Sequence, residues 1–440
     1  MRQLSKIGGM ALAVASVGIG ARVMAQSEAP SATASTQEAD DAFRAGKFAN
    51  AEKLYAQVLT INGKSYDACL NSGETALLSN RLPDAEKWLK KALEIRADDA
   101  AAKTMLAETY YRQDDFERAA EQLKTPGVGE FPGRAHYSSL NYEKLASFKG
   151  LKAYQLGGSG DAVHLKFVKI DPLPLVTVRI NGGKEVVFFV DTGGAEIGLD
   201  TEFAKELGLP LWASKDVGTF AGGQHIDTFH SKIDAIALGE WTVKNVPVQV
   251  LGLRALSSML GVPRIDGVIG TIFLYHFLTT IDYRAGELVL QKRTPENVRR
   301  FWLAQGRKSV SAPFWMAADH FIVAWGTANG LPPTLFFLDS GLAGAGVNFP
   351  ESTLKAANIV LDKSKAEQGQ GAAGTFESIP YVVPAVSFAG VDEKNVNGLW
   401  DGPLFWEDGL GFHIGGMIGH EFLRGHAVTL DFDGMMVVIH

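Results

Sequence analysis

Residues 186–197 read VVFFVDTGGAEI, a five-residue apolar run that drives into Asp191 and then Thr-Gly-Gly. Burying a lone carboxylate is costly, so a strand that reads as buried needs a reason to end on one. One Asp-Thr-Gly triplet is ordinary turn chemistry. The reason emerges 148 positions later, where residues 335–342 read LFFLDSGL and Asp339 stands as Asp191 does.

The match continues downstream in register. GVIGTIFL (267–274) returns as GMIGHEFL (416–423), and TTIDYRAGELVLQ (279–291) as VTLDFDGMMVVIH (428–440). Asp191 precedes Gly270 by 79 positions and Asp282 by 91; Asp339 precedes Gly419 by 80 and Asp431 by 92. A glycine-rich patch lies between the landmarks in both copies, TFAGGQ (219–224) and GQGAAG (369–374). Around them run short β-branched stretches separated by Gly, Asn and Asp, the pattern of strands joined by tight turns. This half of the chain is an internal duplication. Thr294 followed by Pro295 predicts a short helix between the copies.

The N-terminal half has another rhythm. GKFANAEKLYAQVL (46–59), NRLPDAEKWLKKAL (80–93) and DDFERAAEQL (114–123) place Ala51, Ala85 and Ala119 at intervals of 34, and likewise Gly46, Asn80 and Asp114. A helical period of 34 with a small residue at a fixed crossing resembles tetratricopeptide repeats. That resemblance implies a concave surface for a protein partner.

Gross composition bounds the rest. At 440 residues two or three domains are expected. Arg2 and Lys6, the small apolar run 7–20 and Val23-Met24-Ala25 read as an export signal with its cleavage site, and the run is too short for a membrane span. Removing residues 1–25 takes away three basic residues and no acid, moving the net charge from −7 to −10, which disfavours a nucleic-acid surface. Cys69 is the single cysteine, so no internal disulfide forms. An exported bacterial protein, periplasmic or secreted, is expected, with no stable span after cleavage. The expected domains are a signal peptide (1–25), linker (26–37), helical repeats (38–125), connector (126–160), first lobe (161–293), helical linker (294–312) and second lobe (313–440).

Apolar-apolar-Asp-Thr/Ser-Gly, a glycine-rich hairpin, then apolar-apolar-Gly, present twice, resembles the retropepsin and pepsin superfamily of aspartic peptidases. The fold so implied is a helical solenoid followed by a mostly-β, bilobal region, a double closed β-barrel with a pseudo-two-fold axis. The resemblance implies an aspartic endopeptidase without metal or other cofactor, acting on a peptide or unfolded protein. Asp191 and Asp339 would be its catalytic dyad, since two adjacent carboxyls share a proton, one acting as base and one as acid. Thr192 and Ser340 would tie the loops across the lobes, and Gly193 and Gly341 admit close backbone. Phe220, Gly222 and Gly223 in one copy and Gly371 and Gly374 in the other would form flaps. Two features depart from the family pattern: Leu342 follows the second Asp-Ser-Gly, and neither patch carries a flap tyrosine. They support a rival reading, a peptide-binding scaffold that has lost turnover. HEFLRGH (420–426) spaces its histidines six apart, unlike zinc-protease helices, and GQGAAG lacks the following helix of a dinucleotide site.

Overall fold

The computed structural model describes residues 36–129, 139–220, 224–371, 374–404 and 407–440. The export signal, most of the linker and both hairpin tips therefore lie outside the described residues.

Three helix pairs open the described chain: Thr36–Arg44 with Phe48–Ile61, Tyr66–Leu78 with Leu82–Ile95, and Ala100–Arg112 with Phe116–Gln122. Ala51, Ala85 and Ala119 are fully buried where the helices cross, so the small side chain sets the approach distance. The other 34-residue series has an equally direct cause. Gly46, Asn80 and Asp114 all have positive φ (70°, 54° and 59°), the left-handed turn that Gly, Asn and Asp tolerate best.

These turns dock the repeats onto the β region. Gly46 lies against Leu335 and Trp325. Asn80 donates to the Phe432 carbonyl and accepts from Tyr275 Oη. Asp114 meets His276 Nε2 at 3.0 Å. Ser35–His440 consequently packs as one unit, with a hydrophobic core running from Ala76 and Leu77 through to Ile439.

Each copy of the duplication closes a six-stranded barrel. In the first lobe the circuit is Leu175–Ile180, Glu185–Val190, Gly267–Ile269, Ile197–Asp200, Trp241–Leu251 and Gln224–Leu238, which pairs back to the first strand. In the second it is Phe321–Ala328, Thr334–Leu338, Ile414–Ile418, Val347–Asn348, Val391–Trp400 and Gly374–Phe388. The Asp-bearing strand runs parallel to the Gly-Val-Ile or Gly-Met-Ile strand in each, with Val190 opposite Ile269 and Leu338 opposite Ile418.

The barrels share a further sheet that sequence reading did not foresee. The hairpins 277–292 and 427–439 join edge to edge, flanked by Ala162–Lys166 and Val310–Ala317. Thr280 and Thr429, each ten residues after its landmark glycine, pair with each other and their hydroxyls lie 2.7 Å apart. An equivalent pair facing itself marks the pseudo-two-fold axis. Helix Pro295–Ala304 forms between the copies with Thr294 as its N-cap. Among the described residues no helix is long and apolar enough to cross a membrane.

Candidate active site

Asp191 and Asp339 each leave a barrel strand and hang their backbone N–H on the neighbouring strand, Asp191 on the Ile269 carbonyl (3.0 Å) and Asp339 on Ile418 (2.9 Å). The next two residues turn sharply, and the Gly193 and Gly341 amides donate to Oδ1 of their own Asp at 2.7 and 2.8 Å. The two loops then interlock. Thr192 N–H donates to Ser340 Oγ and Ser340 N–H to Thr192 Oγ1, both at 2.9 Å. The hydroxyls pass the bond on to the opposite strand, Thr192 to Leu338 O and Ser340 to Val190 O. All four groups are satisfied inside a buried interface, which fixes one loop against the other.

The glycines are required by contacts across this interface. A Cβ on Gly193 would collide with the Asp339 carboxylate, and one on Gly341 with that of Asp191. Gly270 and Gly419 sit beneath the loops, where a Cβ would strike the Ala195 and Ala345 carbonyls respectively.

The two carboxyls, half-buried, are hydrogen-bonded to each other. Burial raises both above the ordinary carboxylate range. Asp339 is pushed well above it, because the neighbouring Asp191 charge adds to burial. Asp191 is relieved by the hydrogen bond from Asp339, the Gly193 amide and the charge of His320. Both carboxyls being raised and in contact, they share one proton and titrate as a pair.

The Leu342 side chain packs on Gly419, while its backbone N–H serves Asp339. The loop accommodates it by carrying two more residues than the first copy before rejoining the barrel, where Val347 and Ile197 hold equivalent places against Ile418 and Ile269. The strands flanking the glycine-rich patches pair, Phe220 with Gln224 and Gly371 with Gly374. Gly222 and Gly223 lie outside the described residues. Asp282 and Asp431 hold turns, accepting from Ala285 N and from the Asp433 and Gly434 amides. His420 and His426 contact Asp171 and Glu393 separately.

Sequence reading missed a second layer of polar residues. Twenty positions before each dyad aspartate stands another aspartate, Asp171 and Asp319, and the same 148-residue offset could have revealed them. Asp319 is fully buried, holds His320 Nδ1 and accepts from the Ser139 amide at 2.8 Å. Burial alone would raise its carboxyl, yet His320 and Ser139 hold it at about 2. Glu196, five residues after Asp191, bonds Lys144 Nζ with both oxygens at 2.7 Å and accepts from Tyr111 Oη, with Lys144 and Glu196 wholly inaccessible. Nothing in composition or spacing marks Lys144, which lies in what reads as a connector. Elsewhere, Glu407, Asp408 and His413 bring potential ligand atoms within 4.8 Å of one another on the surface.

Residues 176–273 match the family model described as "Aspartyl protease", and residues 42–105 one described as "Tetratricopeptide repeat". A solved structure of a retropepsin-like aspartic protease from Rickettsia conorii is similar at 20% identity and a TM-score of 0.24, covering 32% of this chain and 95% of that one. No curated protein sequence matches the chain.

Proposed function

From the premise of a retropepsin-like aspartyl-protease fold preceded by tetratricopeptide repeats, we propose that this protein is an aspartic-type peptidase whose one site is built jointly by Asp191 and Asp339. The observation that carries this reading is the hydrogen-bonded carboxyl pair, contributed from equivalent positions of two lobes and raised in concert. The ionised member of the pair would take a proton from a water whose oxygen attacks the peptide carbonyl carbon, while the protonated member donates its proton to the carbonyl oxygen. Collapse of the tetrahedral adduct, with a proton delivered to the amide nitrogen, would break the C–N bond. Phe220, Gly222 and Gly223, with Gly371 and Gly374, would belong to hairpins that close over an extended substrate. The repeats would present a surface to a protein partner, and the chain would be exported, its mature form beginning at Gln26.

The test is hydrolysis of an unfolded protein from acidic to neutral pH. The proposal expects a bell-shaped profile, since only the singly protonated pair works. Loss of the pair's shared proton sets the alkaline limb, and a second protonation of the pair sets the acid limb. Cleavage surviving either Asp191→Asn or Asp339→Asn would contradict it.

A further inference from the structure

A polypeptide lying between two lobes related by a two-fold axis leaves the dyad in two directions. On each side it passes a loop of one lobe facing the Asp loop of the other. Asp319 of the second lobe lies near Glu196 of the first; the equivalent Asp171 of the first lobe contacts His420 and Arg424 of the second. The two aspartates hold equivalent sequence positions, and their surroundings differ.

At the Asp171 end an ion pair stands in water, although Asp171 also meets the buried His420. Asp171 pairs with Arg424, whose side chains are 45% and 56% exposed. At the Asp319 exit Ser139, Lys144, Glu196 and Asp319 are all at or below 1% exposure. The connector bridges the two lobes beside the dyad loop. Its Ser139 amide is bonded to Asp319 of the second lobe, and Asn141 donates to the carbonyl of Ala213, in the flap-bearing hairpin of the first. Lys144 is anchored on Glu196 beside the dyad loop, and Lys232 of the same hairpin donates to the Ser147 carbonyl. His230, on that hairpin, is buried facing this cluster, with Nδ1 lacking a hydrogen-bond partner among the described residues. Behind the connector stand Tyr111, Glu108 and Arg112 of the repeats, Arg112 bonding Met316 and Ala318 carbonyls. Breaking the buried Lys144–Glu196 pair is strongly unfavourable, so the connector is held in place here.

We infer that the cleft is open at the Asp171 end and walled at the Asp319 end by residues 139–148, so that the protein acts on bonds near a free chain end and not in the middle of a long chain. This deepens the peptidase reading and rests on it. The wall would act by exclusion, the cheaper way to discriminate when the competing substrate differs only in length.

The experiment uses the full chain and a set of peptides of one sequence and graded length, with free, N-acetylated or C-amidated ends. Hydrolysis is followed by mass spectrometry, and binding is measured to the Asp339→Asn variant. The inference expects one product of constant short length whatever the substrate length. It also expects at least a tenfold loss of cleavage and of binding when one particular end is blocked; the two capped series identify which end. Cuts far from both ends, abolished by Asp191→Asn, would overturn the wall and leave the peptidase standing. No hydrolysis by the unmodified protein, with Asp339→Asn still preferring one free end, would overturn the peptidase and support the wall. Equal binding of free and blocked peptides would overturn the wall.

Discussion

Asp171 and Asp319 began as the same residue in two copies of one lobe, and they now do different work. Asp171 makes an exposed pair with Arg424 and touches His420. Asp319 is sealed beneath the connector, holding His320 and Ser139. The Asp loops are alike, each interlocked with the other by the same pair of hydrogen bonds. The ends differ because the connector, backed by Tyr111, Glu108 and Arg112 of the repeats, packs on Asp319 and not on Asp171. On the proposed reading, symmetry would supply the chemistry and the added helices the direction.

That contrast can be broken by substitution, starting where the effect is largest. Glu196→Ala leaves Lys144 charged, buried and unpaired, and should cost about 3–5 kcal/mol in denaturant unfolding. Lys144→Met together with Glu196→Gln should recover most of that loss. Thr192→Val removes an acceptor from the buried Ser340 amide and should cost roughly 1–3 kcal/mol. Arg424→Ala, which removes the exposed partner of Asp171, should cost no more than about 1 kcal/mol, less at high salt. A loss from Arg424→Ala as large as that from Glu196→Ala would erase the proposed difference between the ends.

The smallest effect is a slope with pH. Burial raises Glu108 to about 8 against Arg112, and its Oε2 has no hydrogen-bond partner among the described residues. A carboxyl raised in the folded state holds a proton that the unfolded chain has released, so its contribution to stability is complete below its ordinary value of 4.5 and lost as pH rises through about 8. Glu108→Gln should flatten the decline of Tm across that window, and an unchanged slope would remove Glu108 as its source.

Much of this was legible in the sequence, because symmetry is a long-range signal that survives without structure. The apolar approach to Asp191 recurs at Asp339, and the 34-residue series marks both the helix crossings and the left-handed turns. The shared sheet was hidden, since pairing of 277–282 with 427–431 joins segments that carry no sign of their partner. The wall was hidden for a stronger reason. Ser139 acts through its backbone amide, and Lys144 is an ordinary lysine until Glu196 is folded beside it. The placement of Leu342 was hidden too, because the two additional loop residues that turn it onto Gly419 only matter in three dimensions.

The central claim is one site made from two lobes. It is tested most directly by hydrolysis rates of Asp191→Asn, Asp339→Asn and the double variant. Each single change should lower the rate about 10²–10⁴-fold, and the double should lower it no further, because base and acid act as one unit. A single variant that keeps half the original rate, or a double variant that falls by the product of the two single losses, would contradict a shared dyad.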